Sequence, residues 1–433
     1  MVMRWLGAVA IVVVAVTALA VRSGAEEAAT RAATGPGAAD QDWPCWRGPR
    51  RDNLPAVKAV VEDFAQLKKA WEVKGLCVGK NSGTWSSVVV VGDKLLTMGR
   101  EEKQDTLVCL DARTGKQLWK QSYDTAGGDV QYGNGPRATP TVDGDKVYTF
   151  GCYGQVACWQ LADGKPVWMK DVTELGGKRP LWGHSSSPLV RGGNVIVQVG
   201  GKAMAMALDK KTGAQVWAAP AGDAGYAAPM IAQVGSTPVL VVFAATAIVG
   251  LDPEKGTKLW STPWRTAVGM NCTTPIQIGQ RLLVSSSNYG EKTGGTGLFE
   301  LSDKGLKEVW TTLKYGAGHN DPVVKDGLLY AYSGYSLDDK GTLVCADFET
   351  GAIKWASKEA GGPGTLLDVG KRILALNNRG KMMLLEASGE GFKQVTELQG
   401  IKGYPVWSTP VVARGRLYLR WADTVVCYEG IGE

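Results

Sequence analysis

The chain has 433 residues, with 48 Lys and Arg against 42 Asp and Glu, and its net charge of +6 comes from basic residues that are scattered rather than clustered. That distribution gives ordinary solubility and excludes a nucleic-acid footprint. The 57 glycines, and 16 tryptophans against six phenylalanines, argue against a helix-rich fold and for many short strands joined by turns.

The first element in chain order is an address. Arg4 precedes an uncharged run from Trp5 to Val21, and small residues follow at Ala18, Ala20 and Ala25. A basic start, an apolar middle and a small-residue exit form a secretory signal peptide, with cleavage after Ala20 or Ala25. A retained anchor is the alternative, although the run is short for a full span of about 20 residues. The expected location is therefore periplasmic or secreted, in a bacterium. Glu26 to Gln41 is poor in bulky apolar residues and reads as a flexible leader. The segment DWPCWRGPRRDN, Asp42 to Asn53, continues it.

From there the chain repeats. CLDARTGKQLW ends at Trp119, ALDKKTGAQVW at Trp217, GLDPEKGTKLW at Trp260 and ADFETGAIKW at Trp355, with looser copies ending at Trp168 and Trp310. Trp71 has the end of the unit without its beginning, and a degenerate copy without Trp ends near Val395. The Trp positions step by 48, 49, 49, 43, 50 and 45 residues, a period that marks a repeat architecture. Each unit begins with an apolar run, often after Thr-Pro or Ser-Pro, as at Pro140, Pro188 and Pro410; weaker starts lie near Val88, Pro229, Pro275, Pro322 and Leu366. Two apolar runs joined by a Gly turn make a hairpin, a third ends at an Asp turn, and a fourth carries the Trp. Such a four-stranded sheet cannot bury itself and must stack on neighbours, which a radial propeller achieves.

The unit after Thr409 lacks a Trp strand, and the strand around Trp71 lacks a unit. The all-β ring of eight four-stranded antiparallel blades is therefore closed by the N-terminal strand completing the C-terminal blade. Residues 1–25 are assigned to the signal peptide, 26–66 to the flexible leader with its WRGP segment, and 67–433 to the propeller. The Trp rings are expected to fill the wedges between blades, each indole N–H needing one acceptor. Asp111, Asp209, Asp252 and Asp347 read as turn-formers rather than catalytic acids.

The Leu-Asp-x-x-Thr-Gly-x-x-x-Trp pattern, best matched from Ala207 to Trp217, resembles the tryptophan-docking repeat of PQQ-type propellers. That family includes quinoprotein alcohol dehydrogenases and BamB-like envelope-assembly proteins. The resemblance covers Leu67 to Gly430, and the WRGP segment resembles an element preceding such propellers in secreted homologues. It implies two functions: a non-enzymatic scaffold binding envelope proteins or a small ligand, or a dehydrogenase using PQQ and Ca²⁺. The dehydrogenases carry an adjacent Cys–Cys pair, whereas none of the eight cysteines here adjoins another. Their catalytic Asp and their Glu and Asn calcium ligands match no motif of this chain. The scaffold without cofactor or metal, and as a monomer, is the favoured expectation.

Other motifs give little. GEKTGGTG, Gly290 to Gly297, lies between strands and reads as a loop insertion rather than a phosphate loop, and two histidines without ligand spacing make no zinc site. Cys109, Cys158, Cys345 and Cys427 hold equivalent positions in four blades, too far apart to bridge; Cys45, Cys77, Cys152 and Cys272 remain, with a Cys45–Cys77 bridge pinning the leader as one option in an oxidising compartment. The first strand of each blade should line the central channel, so the residues three places before the unit starts should ring one mouth. These are Trp85, Arg137, Ser185, Tyr226, Cys272, His319 and Trp407, with His184 and Asn271 one place further back. Their mixture of aromatic and polar groups suits recognition of a small molecule, a glycan or an extended peptide. The alternative is that they merely seal the funnel.

Overall fold

Each repeat unit folds as a hairpin extended to four antiparallel strands, as blade 3 illustrates: Leu189–Arg191, Asn194–Gln198, Ala205–Asp209 and Gln215–Ala218 pair in that order. The second and third strands are buried on both faces, because neighbouring blades cover them, whereas the outer strand is exposed except at Trp217. The computed structural model describes residues 41–432 except 57–59, 126–127, 129, 288–292 and 335–340. These residues form eight such sheets, an eight-bladed propeller, and in blade 1 the two-residue strand Cys77–Val78 pairs in parallel with Lys94–Glu101 as a fifth strand. The signal segment and the leader up to residue 40 lie outside the described residues.

The ring closes with mixed strands. Blade 8 consists of Val411–Ala413, Arg416–Trp421 and Thr424–Glu429 from the C-terminus and Lys68–Val73 from the N-terminus. Lys68 pairs with Glu429 and Val73 with Val425, antiparallel.

The tryptophans dock on the Asp turn of the next blade. Trp168 donates its indole N–H to the Lys210 carbonyl at 3.1 Å, Trp310 to Phe348 at 3.1 Å, Trp355 to Ser388 at 2.8 Å and Trp71 to Ala112 at 3.3 Å. The indoles of Trp119, Trp217 and Trp260 have no such partner. Asp209 Oδ1 accepts from the Lys211 and Thr212 amides and from the Thr212 hydroxyl, at 2.8–3.0 Å, and the Thr212 bonds hold its carboxyl below the usual range. Asp111 and Asp347 do the same with Thr114 and Thr350. These carboxylates cap their turns.

Sequence periodicity misses one device that repeats in every blade. The outer strand slips register immediately before its Trp position, so that Leu118, Val167, Val216, Leu259 and Val309 are each left unpaired in a bulge. A bulge strengthens the local twist and re-aims the next side chain, here the Trp, towards the following blade. In blade 7 the bulged residue is Val395, so Thr396 and not Val395 stands at the Trp position. Phe64, from the turn Phe64–Gln66 ahead of the closing strand, supplies a ring there instead. It is 1% exposed within the cluster holding Leu384 and Leu417, and its amide donates to Thr396 Oγ1.

The WRGP segment, grouped with the leader from sequence, is built into the propeller. Trp43 exchanges two backbone hydrogen bonds with Val90 of blade 1, at 2.7 and 2.9 Å. Pro44 accepts from Val142 of blade 2, Arg51 donates to the Pro188 carbonyl at the start of blade 3, and Asn53 donates to Leu366 of blade 7. Contacts to the first strands of so many blades place these residues in the central channel, as a plug. Cys45 and Cys77 are not bridged: Cys45 donates to Gly48 O and Cys77 to Ala422 O, and all eight cysteines are free thiols.

Candidate functional site at the channel mouth

The loops leading into the first strands converge on a cavity of about 140 Å³. Trp85, Arg137, Ser185, Tyr226, Cys272, His319 and Trp407 all line it. Trp85 and Trp407 pack with ring centroids 4.4 Å apart, Tyr132 meets Trp407 edge-on at 5.7 Å, and His319 stacks flat on Trp407 at 5.0 Å. Trp182 packs on Tyr226 at 5.6 Å across the opening. Trp85 is fixed by its indole N–H, which donates to the Tyr132 carbonyl at 2.8 Å, and Ser185 by donating to the Tyr226 carbonyl at 2.8 Å.

Arg137 serves the wall. Its Nη1 donates to Gly135 O at 2.9 Å, and its Nη2 donates to Gly133 O at 2.8 Å and Gln131 O at 3.0 Å. It thereby clamps the loop that carries Tyr132. His184 and Asn271 do not reach the cavity. His184 is buried and stacked on Phe150 at 4.7 Å, and Asn271 donates to the Ala244 and Ala245 carbonyls at 2.7 and 3.2 Å. Side chains alternate sides along an extended chain, so one step back from a lining residue points behind the wall.

Burial, together with the nearby Arg179 charge, pushes His184 down to about 3, and burial pushes His319 down to about 4. Both imidazoles are neutral at physiological pH. Burial lifts the Cys272 thiol to about 12, leaving little thiolate to react. Among the described residues, no Asp or Glu lines the cavity.

Several wall residues escape sequence reasoning. Tyr132 and Trp182 stand further back in their loops, and Met270 precedes Asn271, so a fixed offset from the unit start does not find them. Trp46 comes from the WRGP segment and forms part of the wall from below. Its sequence signal is its place in the WRGP segment, which says nothing of a channel mouth. Beside the mouth, and sharing Tyr226 as a wall, lies a second cavity of about 250 Å³. Its rim carries Leu181 and Val268, which are 64% and 66% exposed.

The repeats match the model of the outer membrane protein assembly factor BamB family over residues 58–148, 103–357 and 264–420. The chain belongs to this family of PQQ-repeat propellers. Solved structures with the same fold include BamB from Moraxella catarrhalis, at 15% identity and TM-score 0.58, covering 84% of this chain and 97% of that one. The quinohemoprotein alcohol dehydrogenase of Comamonas testosteroni matches at 15% identity and TM-score 0.65, covering 94% and 84%. The serine/threonine-protein kinase AfsK of Streptomyces coelicolor is 27% identical over 191 residues, 44% of this chain, and the match spans 22% of the kinase's length. Binding propellers and enzymes thus share this BamB-like architecture, and the residues of the site must discriminate between them.

The quinone–calcium pairing fails a test of fit at the mouth. Calcium takes about six to eight oxygen ligands, several of them carboxylates. Among the described residues no carboxylate lines the mouth, and no group of three or more His, Cys, Asp or Glu is placed to bind a metal. Cys272, which lines the mouth, and Cys152, which accepts from Arg137, belong to different blades.

Proposed function

We propose that this protein is a non-enzymatic binding propeller of the bacterial envelope, whose channel mouth captures an aromatic or apolar side chain from an extended segment of a partner protein. The observation that carries this reading is the carboxylate-free aromatic cavity. At about 140 Å³ it approaches the roughly 150 Å³ of a protein cavity that takes benzene. Aromatic walls with a few fixed polar groups favour a flat apolar guest, and tryptophan-rich pockets are where binding energy concentrates. The exposed Leu181 and Val268 beside it extend the surface in the manner of a protein contact rather than a sugar cleft. The BamB-like fold supports the same direction.

The mouth holds no acid–base pair: His319 is neutral and faces an indole, Arg137 is engaged with carbonyls, and Cys272 is protonated. Its chemistry is recognition.

The test uses indole and Trp-containing hexapeptides followed by ligand-observed NMR, with chitooligosaccharides and PQQ plus Ca²⁺ as competing probes. Indole and the peptides should bind with Kd below about 1 mM, corresponding to about −4 kcal/mol. The Trp85→Ala, Arg137→Ala, Trp407→Ala triple variant should lose that binding while still folding. Binding of PQQ and Ca²⁺ at micromolar or better Kd, with dye reduction by simple alcohols, would replace this reading with the quinoprotein one. Binding of the oligosaccharides alone would replace the protein partner by a glycan.

A further inference from the structure

The floor of the mouth belongs to the leader, and the two hydrogen bonds and one ion pair that place it form a closed circuit. Trp46 donates its indole N–H to Thr274 Oγ1 at 3.0 Å. The Thr274 amide donates to Asp321 Oδ1 at 2.7 Å. Asp321 Oδ2 is 3.2 Å from Nε of Arg47, and both side chains are buried. Arg47 is the covalent neighbour of Trp46, and its Nη1 also donates to the Pro275 carbonyl at 3.3 Å. The circuit therefore ties leader, blade 5 and blade 6 together around one indole.

Two further observations separate this circuit from ordinary packing. Arg47, Arg51 and Asn53 have φ of +68°, +58° and +63°, so three non-glycine residues within seven adopt the left-handed region. Such backbone persists only where surrounding contacts over-determine it, and it clusters at functional sites. A buried ion pair, moreover, gives little net stability, and the best-attested use of such a pair is to fix one arrangement among alternatives. The arrangement fixed here sets the Trp46 ring against a cavity also walled by Trp85, Tyr226 and Trp407.

We propose that Trp46 is a ligand-contacting residue of the mouth, and that Arg47, Asp321 and Thr274 are positioning residues, so that the binding site is complete only when the leader is seated in the channel. The proposal rests on the reading of the mouth as a binding site and adds that the propeller ring alone does not make that site. The covalent continuity of leader and ring makes the floor a part supplied in cis. Its seating ties ligand affinity to contacts of blades 5 and 6, on the far side of the ring from Trp85.

The experiment uses the full chain labelled with 5-fluorotryptophan and read by ¹⁹F NMR, with indole as the probe. The resonances of Trp46, Trp85 and Trp407 are assigned from their losses in the Trp46→Phe, Trp85→Phe and Trp407→Phe variants. Indole should shift all three. Trp46→Ala should weaken indole at least tenfold with little change in melting temperature. Removing either charge alone strands the other in the channel and risks the fold, so the positioning role is tested in the Arg47→Met, Asp321→Asn double variant. There the Trp46 resonance should move to a solvated position and indole affinity should fall about tenfold, while the Trp85 and Trp407 resonances of the free protein stay in place. If indole shifts Trp85 and Trp407 but not Trp46, the mouth binds and this assignment of Trp46 is wrong. If the Trp46 resonance keeps its place and affinity is kept in the double variant, the positioning role is wrong. If indole moves none of the three, both the mouth reading and this inference fall together.

Discussion

At the scale of single residues, the repeat works because a glycine and an indole occupy adjoining space in successive blades. Gly256 has φ +69°, and a Cβ built on it would lie 2.4 Å from Cε3 of Trp217. The glycine of the motif is thus read twice, once by the turn and once by the neighbouring ring. Gly256→Ala should cost on the order of 2–4 kcal/mol, from the left-handed backbone and from overpacking together. Urea unfolding will measure it, and a loss under about 0.5 kcal/mol would mean that the Trp217 ring can move aside. The two histidines carry a prediction of a different kind. With folded values of about 3 for His184 and about 4 for His319, against about 6.5 when unfolded, both favour the folded state only while neutral. The stability they contribute is complete above about pH 6.5 and is lost as the pH falls through 4 and towards 3. NMR titration of the imidazole protons should show no midpoint above pH 5. A midpoint near 6.5 for His319 would mean that water reaches it and that the mouth is wetter than its aromatic walls imply.

At the scale of elements, the departures from the repeat are as informative as its copies. Blade 7 has Thr396 where other blades have Trp, and the leader fills the gap with Phe64. The degenerate unit is visible in the sequence, but its substitute lies more than 300 residues away in the chain, and no local pattern couples the two. Phe64→Ala should then destabilise the fold by about 3–5 kcal/mol, as for a buried core ring, although the residue lies outside the repeats. Thr396→Trp in that background should return part of the loss. A surface-like cost for Phe64→Ala would show that the gap between blades 7 and 8 is closed by other side chains. The bulge before each Trp belongs to this scale too. It leaves Leu118, Val167, Val216 and Leu259 exposed, and a pattern of alternation alone would have put these apolar residues inside.

At the scale of the whole molecule, one strand holds the ring shut. Lys68–Val73 is the outer strand of blade 8, and Trp71 also docks on the Ala112 carbonyl of blade 1. Deleting residues 68–75 should expose the edge of Thr424–Glu429, lower the melting temperature and drive aggregation, which sedimentation and thermal scans will follow. A deletion variant that stays monomeric and melts like the parent would show that the closing strand is dispensable. The number of blades, the closure and the docking turns were legible because each rests on local grammar that recurs along the chain: a Gly-containing turn, a period-two run and, in seven of the eight blades, a Trp at the same place on the outer strand. Those signals are short in range, and repetition makes them redundant. The lining of the mouth was half legible, since a constant offset from the unit starts finds one residue in each of seven blades but not the loop residues Tyr132 and Trp182, whose spacing differs from loop to loop. The channel plug was not legible at all. Trp46, Arg47 and Asn53 owe their places to partners on blades 5, 6 and 7, more than 200 residues distant in sequence. Sequence by itself determined the repeating sheet and hence the ring, because backbone pairing and apolar alternation are local rules. Only the tertiary structure decided what fills the centre of that ring, because the channel is made by all the blades at once and belongs to no single unit.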